Sequence, residues 1–374
     1  MTESPSATWH RAHGWIGKVL LVLLLLTAVA AAFAWRDYQH FASTPLPIGN
    51  DEVIFEVKKG DSLRTVVRRL ARMGLTENWR QPWWQALAVE TDVIRRLQVG
   101  EYALGHGVTP RSLLDKFARG RVVQHQFTII EGWTFGQLRR ALADVEGITH
   151  TLADQSDEMI MAALDAEGQH PEGWFLPETY AFTRGVTDLA LLKRAHLAMK
   201  AELQAAWAKR SEATAVETPY QALILASIIE KETGKASERP EIAGVFSRRL
   251  RLGMRLQTDP TVIYGLGSAF DGNLRRRDLQ ADTPYNTYTR EGLPPTPIAL
   301  PGRDSIAAAI SPADGRTLYF VSRGDGSHQF SENYRDHVNA VRRYQLGARR
   351  QVLQAESTGP AGDAGAGDDD ASTP

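Results

Sequence analysis

The chain has 374 residues, enough for one large or two modest domains with cores of their own, and its charge is nearly balanced at 43 Lys and Arg against 44 Asp and Glu. No global field therefore draws it to nucleic acid. It has no cysteine, which excludes a disulfide framework, thiolate metal sites and a cysteine nucleophile.

Residues 19–35, "VLLVLLLLTAVAAAFAW", carry no charge and just suffice to cross a bilayer as a helix. Arg11 and Lys18 precede the run, so the positive excess predicts residues 1–18 in the cytoplasm and the bulk of the chain outside it. Ala32-Phe33-Ala34 also fits a small-x-small cleavage site; a retained anchor is preferred because the apolar run exceeds an ordinary signal core. Residues 36–51, with Pro45 and Pro47 and no periodicity, read as a linker.

Regular structure is predicted from residue 52. Val53, Phe55 and Val57 alternate as in a half-buried strand, Gly60-Asp61-Ser62 turns the chain, and Leu63, Val66, Val67, Leu70 and Ala71 recur at helical spacing. Two more strand-to-helix units follow. In residues 100–120 Thr109 caps a helix with Pro110 at its first position, and in residues 125–145 Thr134 and Gln137 form a capping box. The expected fold class is α+β, with a small module at residues 52–125 and a larger mixed α+β domain at residues 126–345. Residues 146–217 read as mostly helical apart from the loop at 170–185, and a helix is expected at 242–252. Residues 253–302, rich in Gly, Pro, Asn and Tyr, are too long for a plain connection, so they are functional or hold short strands of their own. A strand is expected at 316–322 and a terminal helix at 332–355. Residues 346–374 comprise the end of that helix and an acidic tail expected to be disordered.

Histidines are scattered, and there is no H-E-x-x-H, P-loop, G-x-G-x-x-G or G-x-S-x-G, so no metal or cofactor is expected. Carboxylate chemistry remains. The helix beginning at Thr218-Pro219, with Gln221 placed for a capping box, is apolar almost all round from Ala222 to Ile229 and ends in "EKETG". Glu230 follows the small Ala226 and Ser227 by one turn, which leaves its carboxyl approachable from a groove. Glu232 points about 200° away and is expected to be solvated or to brace its neighbour. A general acid must keep its proton near neutral pH. The helix C-terminal dipole supplies at most about 0.3–1 kcal/mol toward that at an exposed site, less than one pKa unit at roughly 1.36 kcal/mol per unit, whereas partial burial supplies several units. Burial is thus what this reading asks of Glu230; the plainer reading is a solvated helix end offset by Lys231.

The segments "LASIIEKETG", "ERPEIAGVFSRRLRLGMRLQTDPTVIYGLG", "TPYNTYTREGLPPTPIALPGRDSIAAAISP" and "LYFVSRGDGSHQFSENYRDH", with "EGWTFGQL" and "PEGWFLPETYAF" before them, resemble the YceG/MltG-like endolytic murein transglycosylases. "VKKGDSLRTVVRRL" is similar to a LysM module. The resemblance spans about residues 19–342 and implies a single-pass enzyme of the inner membrane with its catalytic domain in the periplasm. Such an enzyme cuts the β-1,4 bond from N-acetylmuramic acid to N-acetylglucosamine inside glycan strands and leaves 1,6-anhydro ends. It implies Glu230 as the catalytic residue, peptidoglycan as substrate, termination of strand elongation, and penicillin-binding proteins or other synthases as partners. A lone acid suffices, because the sugar's own C6 hydroxyl replaces the second carboxylate of a hydrolase. Substrate contacts are expected from Gln257, Thr258 and Asp259 in "MRLQTDP" and from Tyr285, Asn286 and Tyr288 in "PYNTY"; the alternative is that these brace a loop. Glu178, Tyr180 and His328 are expected to be structural. Arg248, Arg249, Arg251 and Arg255 are expected on a solvated face or against acidic peptide stems. A non-catalytic scaffold that binds peptidoglycan and recruits synthases, and a muramidase that leaves reducing ends, are the competing readings.

Overall fold

The computed structural model describes residues 7–346. The chain is mixed α+β with one N-terminal apolar helix and divides into two compact units, one reaching to His125 with Ala181–Val186, the other Gln126–Tyr180 with the residues from Thr187 on. Most of the tail expected to be disordered lies outside the described residues.

The first unit begins with α1 (Ala7–Ser43), followed by β1 (Val53–Val57), α2 (Leu63–Arg72), α3 (Gln81–Glu90), β2 (Gly100–Leu104) and α4 (Pro110–Arg119). Its strands pair antiparallel, Val53 opposite Leu104 and Val57 opposite Gly100. The local signals work as the sequence indicates: Ser62 caps α2, and Thr109 closes a capping box on α4 with Pro110 in its first turn. The core gathers Phe55, Leu70, Trp84, Tyr102 and Phe117, all fully buried.

Within α1 the stretch Lys18–Ser43, with a mean hydropathy of 2.3 over an 18-residue window, is long and apolar enough to cross a membrane. The expected linker is different. The helix continues unbroken to Ser43, and its last two turns bury Tyr38, Phe41 and Ala42 in the first unit's core, with Leu46 and Ile48 after them. Phe41 meets Trp84 edge-on at 5.3 Å, while Asp37 accepts hydrogen bonds from Arg80 (2.5 Å) and Trp83 Nε1 (2.9 Å). Apolar burial and a salt-bridged carboxylate together make this segment a rigid joint.

In chain order β3 (His125–Thr128), α5 (Phe135–Ala143), α6 (Asp157–Ala163) and β4 (Thr179–Phe182) come next, with β3 and β4 paired. Then follow α7 (Asp188–Trp207), α8 (Pro219–Glu232), α9 (Arg239–Arg251), α10 (Asp259–Leu266), α11 (Arg276–Gln280), α12 (Arg303–Ile310), β5 (Tyr319–Ser322), β6 (His328–Ser331) and α13 (Tyr334–Val341). The second unit is organised around α8, whose residues 222–229 are all buried and which packs against α7, α9, α10 and α12. Thr218 caps it and Pro219 opens it, as read from the sequence. Its stop is Thr233 in extended conformation; Gly234 is not needed in the left-handed region. Ser227 Oγ donates to the Ile224 carbonyl (2.7 Å) and accepts the amide of Ile298 (3.0 Å), pinning the strap before α12 to this helix. The long segment 253–302 holds the short helices α10 and α11 and no strand.

Phe41→Ala removes an aromatic side chain from the joint at a cost of about 3 kcal/mol. Limited proteolysis of the solubilised chain should then cut faster between residues 37 and 50; an unchanged cleavage rate would refute the rigid joint.

Candidate active site

The two acids at the end of α8 leave the core on opposite sides and meet different surroundings. Glu230 is enclosed, its side chain only 5% exposed. One carboxylate oxygen accepts from Arg239 Nη2 (3.1 Å) and the other from the amide of Gly302 (2.9 Å), the residue that begins α12. Arg239 is itself buried and also reaches Asp304 (3.2 Å) and Glu131 (3.5 Å). Glu131 is held there because Gly132 N–H donates to the Leu300 carbonyl and Leu300 N–H to that of Trp133. A Cβ on Gly302 would lie 1.9 Å from the Glu131 carboxylate, so a larger residue there would push that side chain from its place. This knot ties α8, α9 and α12 together.

Glu232 faces a cavity of about 470 Å³ lined also by Arg249, Gln257, Asp259, Tyr288 and His328. Burial, followed by the negative charge of Asp259, pushes its carboxyl up to about 7, against the pull of a hydrogen bond donated by Thr258 Oγ1 and the charge of Arg249. A carboxyl in this condition holds its proton near neutral pH and can release it.

Loop bracing decides which neighbours reach the cavity. Gln257 takes φ +50, a left-handed conformation uncommon outside glycine, held by its amide bond to the Thr287 carbonyl (3.1 Å). Tyr288 donates from its hydroxyl to Asp259 Oδ1 (2.5 Å), fixing that carboxylate. Gln257, Asp259 and Tyr288, expected as substrate contacts, thus share the wall with Glu232. The other three do not. Thr258 is buried and spent on Glu232. Asn286 is buried too: its amide nitrogen donates to the carbonyls of Asp278, Leu279 and Ala281, and its oxygen accepts from the Tyr288 amide. Tyr285 bonds Thr296 (2.9 Å) and packs on Tyr264, away from the cavity. These residues brace the loops, because every strong donor or acceptor they carry is already committed.

Of the arginines expected on a solvated face, Arg251 and Arg255 are exposed, while Arg249 is buried and Arg248 half-buried, and all four clasp backbone carbonyls. Arg248 donates to the carbonyls of Ala313 and Thr317, Arg249 to those of Leu256 and Leu318, Arg251 to Glu212 and Arg255 to Tyr288. His328, read as structural, pairs with Glu238 at 2.7 Å. His337 went unnoticed in the sequence: it lines the same cavity, stacks on Tyr319 at 5.2 Å, and has a buried Nδ1 with no partner among the described residues. No spacing could reveal it, since it joins the site from α13.

The profile of the YceG-like family matches residues 55–343. The endolytic murein transglycosylase of Bacillus subtilis (strain 168) is 32% identical over 264 residues, which is 66% of this chain and 73% of that protein. The protein of that name from Streptococcus pneumoniae serotype 2 is 25% identical over 361 residues, covering 86% of this chain and 64% of the relative. A crystal structure of a yceG-like protein from Listeria monocytogenes shares 27% identity, covers 78% of this chain and superposes with a TM-score of 0.48.

Glu230→Gln weakens the bond to the buried Arg239 and is expected to lower stability by about 1–3 kcal/mol, read as a fall in thermal midpoint; an unchanged midpoint would refute the knot. Glu232 and Glu172 both stand near 7 when folded, against 4.5 for an ordinary glutamate. The folded chain therefore keeps protons that the unfolded chain has released, so these groups make stability fall as pH rises from 4.5 to about 7 and level off beyond. Glu232→Gln should flatten part of that slope in denaturant titrations across this window.

Proposed function

The chain belongs to the YceG-like family, and on that footing we propose that it is a lytic transglycosylase of peptidoglycan, a carbon–oxygen lyase that cuts glycan strands internally at the β-1,4 bond between N-acetylmuramic acid and N-acetylglucosamine. The observation that carries this reading is that Glu232 opens onto a cavity with Gln257, Asp259 and Tyr288 on its wall, where burial pushes its carboxyl up to about 7. On this reading the acid's role, expected of Glu230, falls to Glu232, two residues on. Glu230 has both oxygens engaged by Arg239 and Gly302 and is better suited to holding three helices together than to exchanging a proton with a sugar.

In this mechanism the Glu232 carboxyl gives its proton to the glycosidic oxygen as the C1–O bond breaks. The C6 hydroxyl of the muramyl ring attacks C1, and the resulting carboxylate takes the hydroxyl proton. The product is a 1,6-anhydro ring, no water is consumed, and Glu232 ends protonated as it began. The intramolecular nucleophile starts at high effective molarity, so no second carboxylate is required. Asp259, fixed by Tyr288, keeps the proton on Glu232 before reaction and favours positive charge developing at C1. Gln257, exposed at the rim, offers an amide to N-acetyl or hydroxyl groups.

We read α1 as a single-pass anchor in the inner membrane with both units in the periplasm, from its length and hydropathy and from Arg11 and Lys18 before its apolar run. The first unit, two antiparallel strands joined through α2 and α3, is read as a LysM-like glycan arm. An anchored enzyme of this kind acts on strands as they are made, which suits release of nascent strands and association with their synthases.

With purified glycan strands and mass spectrometry of the ends, Glu232→Gln is expected to lower the yield of anhydro ends by at least about 10³-fold. Glu230→Gln, assayed below its lowered thermal midpoint, should keep most of its activity. The reverse ranking would return the acid's role to Glu230, and reducing ends would make the protein a muramidase. kcat/KM should fall as pH rises through about 7, as Glu232 loses its proton.

A further inference from the structure

We propose that the second unit holds a second ligand site, separate from the Glu232 cavity, which binds a carboxylate of the peptide stems carried by peptidoglycan strands. The proposal rests on the substrate class proposed above and extends it from the sugar to the peptide. The site is a cavity of about 880 Å³ whose wall includes Gln137, Arg140, Glu172, Lys231, Tyr264 and Ile298. It shares no lining residue with the Glu232 cavity and is its close neighbour: Lys231 and Pro260 line one, Glu232 and Asp259 the other. Adjacent residues on α8 point about 100° apart, so the end of α8 and the start of α10 form the partition.

The charges on this wall do not cancel. Arg140, exposed on α5, makes no ion pair or hydrogen bond among the described residues, and the Lys231 ammonium reaches only the Gly132 carbonyl, at 3.2 Å. Two acids share the wall, and both are otherwise engaged. Asp157 is paired with Arg139 at 2.6 Å. Glu172, only 3% exposed, accepts from the Phe135 amide (2.9 Å) and the Tyr264 hydroxyl (3.1 Å), and burial pushes its carboxyl up to about 7. His170 accepts the Glu172 amide on Nδ1 (3.2 Å), and burial holds its pKa down. Two cations without an anionic partner, beside one acid already paired and one whose burial favours its neutral form, make a site that favours an anion.

The size and place of the cavity choose among anions. Its volume is that of a site for a ligand of several hundred daltons, large for a lone lactyl carboxylate and suited to a short acidic peptide. The stem peptide is attached to the muramyl sugar at the bond Glu232 would cleave, so a strand seated at Glu232 brings its stem within reach of the neighbouring wall. Arg140 can meet a carboxylate with two parallel N–H donors, with Lys231 adding a point charge.

Binding rather than cleavage tests this, using the full-length chain in the Glu232→Gln background with two strand preparations, one carrying stems and one stripped by an amidase, which retains the lactyl carboxylate. Adding Arg140→Glu should raise Kd for stem-bearing strands roughly fivefold, leave Kd for stripped strands and the thermal midpoint unchanged, and be largely reversed by Arg140→Lys. No change on either preparation would overturn the site, and an equal loss on both would assign it to the lactyl group. A wild-type protein that forms no anhydro ends would sink the proposed activity while this binding result stood on its own.

Discussion

Everything in the second unit depends on how α8 ends. A helix apolar on every side must be buried on every side, and here residues 222–229 are. Charge enters only in the last turn, at the border of the core, where the carbonyl end of the helix makes two glutamates least welcome. They are accommodated in opposite ways. Glu230 is neutralised by the buried Arg239 and by the amide that opens α12, so unfavourable charge at one helix end meets favourable charge at the start of another. Glu232 is left beside a cavity, where burial and Asp259 favour its protonated form.

The two arrangements are coupled. The Arg239 knot fixes where α8 stops relative to α9 and α12, and this stop sets the position of Glu232. Opposite Glu232, the loop at 257–259 is tied to Thr287 and Tyr288, and Asn286 braces Tyr288 in turn, so that Gln257, Asp259 and Tyr288 present their side chains to the cavity. The arginines of α9 complete the frame from behind by donating to backbone carbonyls before β5 and α10. Polar residues that look like ligands for a sugar are thus divided between those that meet the cavity and those that aim them.

In the first unit a comparable constraint joins the apolar helix α1 to the folded core. Tyr38, Phe41 and Ala42 lie on the continuation of α1 and are buried against α3 and α4. The apolar helix therefore ends as part of a folded core, with Asp37 satisfied by Arg80 and Trp83.

The amino-acid sequence alone determined what depends on near neighbours: the caps at Thr109, Thr134 and Thr218, the prolines that open α4 and α8, the apolar run of α1, and the opposite bearings of Glu230 and Glu232. These are legible because a cap spans three residues and a helical turn fewer than four. Tertiary structure alone decided which glutamate lines the cavity beside Gln257 and Asp259, which of six polar loop residues line it, and that the segment after the apolar run of α1 is packed. Those outcomes turn on Arg239, Gly302, Asp259 and the braces at 278–288, and on Trp84 in the first unit. The decisive ones, Gly302 against Glu230 and Asp259 beside Glu232, are brought into place across tens of residues, where periodicity carries no information.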